Sequence, residues 1–232
     1  MPLLDFDSIV INSDFYTKDE FKETLKFFNQ IGIRKFIVLK SIDPALDSTY
    51  KIKNQLKVLN ETVKYARPRG AVIKPCANVM LSPKVTQNSI LQDLTLHNTN
   101  IIFVQPPIFV TNEWLQPDLN YLLYKQKLKP CFTFFEQTYL SCDPAVTHGL
   151  YKIQSAALCV DLDFISSLQH EDFLKKCIKD NKLILPAVSR DIKSYYPIIN
   201  RFQCMNDRMG KTKYLRFCKY INQSASTVFK LL

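Results

Sequence analysis

Apolar positions along the chain recur in two alternating periods. Thr17 and Glu20 have the spacing of a capping box, in which a hydroxyl and a carboxylate three residues apart satisfy each other's backbone N–H groups. Phe21, Leu25, Phe28 and Ile31 then fall on one helical face, and Gly32 supplies the residue a left-handed helix end favours. The run Lys35 to Leu39 follows without helical period and reads as a buried strand.

The unit repeats. Ile52, Leu56, Leu59 and Val63 form a second stripe, stopped by Pro68 and Gly70, before a strand at Ala71 to Ile73. Ile90, Leu91 and Leu94 precede Ile101 to Val104, and Leu115, Leu119, Leu122 and Leu123 precede Cys131 to Phe135. A weaker helix over 145–153 leads into Ala157 to Val160, and Phe173, Leu174, Cys177 and Ile178 lead into Leu183 to Leu185. With an opening strand at Phe6 to Ile11, the pattern predicts seven strands separated by six helical segments, then two more helices near 198–209 and 211–221. Such alternation implies right-handed crossovers and a parallel sheet. Seven units in 232 residues suit a closed α/β barrel, read as a single domain over 1–232, better than an open doubly wound sheet.

In either arrangement the site lies at the carboxyl ends of the strands. Those ends hold Asn12 and Ser13, Lys40 and Ser41, Cys76 and Asn78, Gln105, Phe134 to Gln137, Asp161 and Asp163, and Ser189 to Asp191. None is a histidine. His97, His148 and His170 fall in or beside predicted helices, where surface or packing roles account for them. A multinuclear metal site and a histidine-dependent nucleophile therefore lack their usual ligands and base, and the chain is expected to hold no metal and no cofactor.

Composition narrows the picture further. Only four glycines occur, far apart, so neither a Gly-rich dinucleotide loop nor a P-loop has a place to sit. Seven cysteines without a C-x-x-C pair are expected to be reduced and mostly packed. The first ten residues lack the basic start of a secretory signal, and no apolar run approaches the length of a membrane span, so a cytoplasmic protein without membrane insertion is expected. The net charge of +10 favours an anionic partner. On the last helix Lys211, Lys213, Arg216 and Lys219 interleave with Tyr214, Phe217 and Tyr220, but aromatic residues at that spacing are also a core stripe beside a solvated face.

Read in order, several segments resemble a known family. Leu4 to Ile9, Thr24 to Ser41, Leu56 to Asn60, Ile73 to Asn78, Ile102 to Pro106, Lys129 to Gln137, Ala156 to Val160 and Leu183 to Asp191 are similar to successive segments of the PHP-superfamily tyrosine-protein phosphatases of bacterial capsule and exopolysaccharide operons. The resemblance implies a distorted, TIM-like (β/α)7 barrel of PHP type and an ancestry in metal-dependent phosphotyrosine hydrolysis. In its register the family's first-strand histidines fall on Asp7 and Ile9, and its threonine-proline-histidine on Leu39, Lys40 and Ser41. The bridging glutamate falls on Asn78, the fifth-strand histidine on Phe134, and the final aspartate and histidine on Val188 and Arg190. Asp5 and Glu136 are the matching acidic positions that survive.

The vestigial site implied by the resemblance is thus Asp5, Asp7, Ser41, Asn78, Glu136 and Arg190, with Lys40 and Arg190 as anion-binding residues in place of the metals. The expected geometry pairs Asp5 and Asp7 with Arg190 across the first and last strands and leaves Lys40 free to attract a phosphate or a partner's carboxylate. The function that follows is a catalytically degenerate phosphatase homologue, a pseudoenzyme that binds a protein partner or a phosphorylated or anionic ligand, in polysaccharide biosynthesis. Two alternatives stand beside it: a divergent hydrolase rebuilt from Asp5, Asp7, Glu136, Asp161 or Asp191, and a basic nucleic-acid-binding domain.

Overall fold

A computed structural model describes residues 4–42, 46–80, 102–105, 132–135, 157–167, 171–188 and 191–231. Seven strands run β1 (Ser8–Asn12), β2 (Lys35–Ile42), β3 (Val72–Met80), β4 (Ile102–Gln105), β5 (Phe132–Phe135), β6 (Ala157–Asp161) and β7 (Leu183–Val188). All neighbours pair in parallel, and β1 pairs with β7, closing the barrel in simple sequence order. The described helices are α1 (Lys18–Gln30), α2 (Thr49–Ala66), α3 (Leu162–Ser166), α4 (Glu171–Lys179), α5 (Tyr196–Met209) and α6 (Lys211–Leu231). The helices expected near 90–94, 115–123 and 145–153 lie outside the described residues.

Local chemistry explains the elements. The Thr17–Glu20 capping box forms reciprocally: the Thr17 N–H donates to Glu20 at 2.8 Å and the Glu20 N–H to the Thr17 hydroxyl at 3.4 Å. These bonds hold the Glu20 carboxyl below its ordinary range. Four of the five described cysteines are buried and none is in a disulfide, while Cys204 is exposed. Burial pushes the Cys76 thiol up to about 12 and leaves it unreactive.

Alternate residues on each strand face opposite sides of the sheet. One set, with Val10, Ile37, Leu39, Cys76, Cys159, Leu185 and Ala187, fills the barrel's interior. The other, with Ile9, Ile11, Phe36, Val38, Ile184 and Val188, packs outward against the helices, including Phe28, Phe202 and Tyr214.

The sequence pattern undercounts α6, which continues ten residues past the expected end at Ile221. Its first half packs Tyr214, Phe217 and Ile221 into the outer layer, whereas Ala225 and Val228 join the interior cluster, with Phe229 against it. The helix is fixed at the amino ends of two strands. Asn222 accepts the Asp7 N–H at 3.0 Å and donates to the Asp5 carbonyl at 3.1 Å, and the Tyr220 hydroxyl donates to the Lys182 carbonyl at 2.7 Å. Because Asp7 and Lys182 each directly precede a strand, α6 crosses the amino end of the barrel and seals its floor with apolar side chains.

Candidate functional site

The open question is the opposite end. Continuing the two-residue period past the apolar interior positions places Asn12 two beyond Val10, Ser41 two beyond Leu39, Asn78 two beyond Cys76 and Asp161 two beyond Cys159. The interior therefore turns from apolar to polar as it approaches the carboxyl ends. Asn12, Asn78 and Asp161 are buried, at 2%, 0% and 2% exposure. Ser41 stands level with Asn78 on the neighbouring strand.

Short turns then use up much of this polarity. Asn12 caps a one-turn 3-10 helix, Ser13–Phe15, by accepting the Asp14 N–H at 3.1 Å, and the Ser13 hydroxyl ties that turn to the Leu39 carbonyl at 2.7 Å. Asp14 in turn reaches β2, where it pairs with the Lys40 ammonium and accepts the Ser41 N–H at 2.7 Å. Asp161 caps α3 by accepting the Asp163 N–H at 2.8 Å, and its second oxygen accepts from the Tyr195 hydroxyl at 3.1 Å. Asp163 pairs with Arg201 of α5. Asp191 caps the 3-10 turn Ile192–Tyr195 that delivers Tyr195, accepting from the Ser194 hydroxyl at 2.8 Å and the Lys193 N–H at 2.7 Å. Those two bonds lower its carboxyl from the usual value.

Tyr16 completes the group. Burial, with the negative field of Asp161, Asp191 and Glu20 adding to it, holds its phenol far above the ordinary tyrosine range. Tyr16 therefore keeps its proton at neutral pH and is not a nucleophile there.

The sequence-derived residues divide sharply. Ser41 and Asn78 do lie together near the carboxyl end. Asp5 and Asp7 do not: β1 begins at Ser8, so both precede it and stand at the floor, some five residues of strand away from the mouth. Asp7 pairs there with Lys35 at 2.8 Å, and Asp5 faces Tyr214 and Cys218 of α6. The residues that β1 actually delivers to the mouth are Asn12, Ser13 and Asp14. Lys40 also departs from expectation. It shares parity with Phe36, Val38 and Ile42, so it stands on the outward face of β2 and is paired with Asp14 rather than left over in the lumen. Glu136 and Arg190 lie outside the described residues, as does the Arg190 half of the expected ion pair. Tyr195, which is not among the sequence-derived site residues, is fully buried and holds Asp161. Among the described residues no group of three His, Cys, Asp or Glu side chains could hold a metal ion, and no helix is long and apolar enough to cross a membrane.

No protein-family model matches the chain, and no curated protein matches it. Among solved structures it is similar to phospho-2-dehydro-3-deoxyheptonate aldolase from Thermotoga maritima, with a TM-score of 0.51 at 12% identity, covering 88% of this chain and 70% of that one. A truncated form of 3-deoxy-D-arabino-heptulosonate 7-phosphate synthase from the same organism gives 0.47 at 12% identity over 88% of each chain. A dihydrodipicolinate synthase family protein from Coccidioides immitis gives 0.43 at 12% identity, over 97% of this chain and 78% of that one. At such identity the first likeness bears on the fold alone, a parallel α/β barrel.

Proposed function

We propose that this chain is a binding protein on a PHP-like barrel, descended from a metal-dependent hydrolase and no longer one itself. The observation that supports it is the commitment of the mouth's described carboxylates to the fold. Asp14 holds Lys40 and the Ser41 N–H, Asp161 holds Tyr195 and the start of α3, Asp163 holds Arg201, and Asp191 holds its own turn. A hydrolytic centre needs carboxylates or imidazoles aimed at a metal or a water. Here these groups complete hydrogen bonds that keep the strand ends and turns in place. The positions that the resemblance assigns to ligands support the same reading, since Ile9 and Val188 are buried apolar residues that cannot coordinate a cation.

The test is direct. The purified protein should contain substoichiometric zinc, manganese and iron by elemental analysis and should not hydrolyse a phosphotyrosine peptide above the uncatalysed rate. Two or more metals per chain, together with hydrolysis that chelation abolishes, would establish the rebuilt hydrolase instead. The nucleic-acid reading keeps one observation in its favour: Lys211, Lys213, Arg216 and Lys219 are all exposed on α6. Of the aromatic residues between them, Tyr214 and Phe217 are buried, which leaves the half-buried Tyr220 with a partly open ring. Affinity for single-stranded RNA that falls steeply with salt would favour that reading.

A further inference from the structure

Away from the mouth, α3, α4, α5 and α6 enclose a groove of about 450 Å³. Its floor is apolar, built from Ile165, Leu174, Met205 and Phe217, all buried, and from Ile178 and Met209, half-buried. Its rim is cationic. Lys175 on α4 is neutralised by Glu171 at 3.0 Å, but Arg208, Lys213, Arg216 and Lys219 are exposed and form no ion pair among the described residues.

We propose that this groove docks the apolar face of an acidic amphipathic helix from a partner protein. The spacing of the cations selects this occupant. Lys213, Arg216 and Lys219 recur every three residues, so their stems rise along about 9 Å of one edge of α6. A row of that length is matched by acidic residues repeating along a helix, whereas the single head group of a fatty acid answers one cation and leaves the others facing each other. The lining disfavours nucleic acid: Phe217 is buried, Tyr220 is half-buried, and the rest of the apolar lining is aliphatic or thioether, which leaves too little open aromatic plane for successive bases to stack. Met205 and Met209 are the adaptable kind of surface onto which helices of varied sequence pack. The inference does not depend on whether the mouth retains chemistry, since none of the mouth residues lines the groove.

The probe is a fluorescent synthetic helix of ~18 residues, with leucines at helical spacing and glutamates flanking them. Its composition-matched control has the leucines scattered around the helix. The full chain should bind the probe saturably below about 100 μM, with the control at least about tenfold weaker. Arg216→Glu and Met209→Asp should each weaken the probe at least about tenfold. Arg216 is exposed, so loss of fold does not explain its effect, and the melting curve of Met209→Asp is read beside it. No saturable binding, equal binding of the control, or indifference to Arg216→Glu overturns the proposal. An oligouridylate or oleate that binds with dependence on both Met209 and Arg216 also overturns it, in favour of a nucleic-acid or lipid site. These outcomes leave the metal and hydrolysis result untouched, so the two readings fail independently.

Discussion

Tyr195 and Lys40 each hold an aspartate near the carboxyl end of the barrel, and they should differ in what their loss costs. Tyr195 is fully buried, and its hydroxyl reaches Asp161 at 3.1 Å. Tyr195→Phe takes a donor from a buried carboxylate and is expected to cost about 1–3 kcal/mol in urea unfolding. The Lys40–Asp14 pair has a side-chain exposure of 32% on the lysine, so Lys40→Ala is expected to cost less than about 1 kcal/mol. Tyr16 contributes to an alkaline pH dependence that buried cysteines and other tyrosines share. Its folded phenol titrates above the unfolded value, so its contribution is complete below the ordinary tyrosine range of about 10 and is lost as pH rises beyond it. Melting temperature should therefore fall at alkaline pH, and Tyr16→Phe should make the part of that fall above about pH 10 shallower without removing it. At this scale the sequence was only partly legible. The face of Lys40 could have been read from its alternation with Phe36 and Val38. The placement of Asp5 and Asp7 at the floor depended on where β1 begins, and Leu4 and Phe6 before it are as buried as the strand itself, so apolarity does not mark the boundary.

At the scale of elements, signals with a local mechanism survived best. Thr17 and Glu20 announced α1 through a reciprocal pair of hydrogen bonds, and Gly210 separates α5 from α6 through backbone geometry. Gly210 has φ 78° and ψ 140°, a conformation closed to residues with a Cβ, and its side-chain direction meets open space. Gly210→Ala should consequently lower stability by about 1–3 kcal/mol through backbone strain alone. A thermal melt that matches the parent would show that the turn relaxes. The second half of α6 had no such announcement. Ser224 and Ala225 are buried without being large or strongly apolar, so the stripe that reaches Val228 fades at the positions where the helix fits most closely under the barrel. The short helix α3 was equally silent, because five residues are too few to display a period.

For the molecule as a whole, strand order was legible because each strand is followed by the crossover that places the next beside it. Closure was legible only from the count of units in the chain, as expected for a barrel, since pairing of β1 with β7 leaves no mark on either segment. The apolar floor contributed by α6 is the feature that makes this barrel watertight at one end. Val228→Asp puts a charge among Val10, Ile37 and Leu185 and is expected to abolish the cooperative thermal transition, with dye-binding apolar surface at room temperature.

The bond between Asp7 and Asn222 joins residues 215 positions apart. A growing chain thus completes its first strand's surroundings only after its last helix has left the ribosome. Until then the inner faces of β1 and β2 have no floor to shield them, and the half-made barrel is a target for chaperones. Slow-translating codons in the stretch encoding α6 should lengthen that exposure and reduce the yield of folded protein, whereas the same codons in the stretch encoding β1 should not.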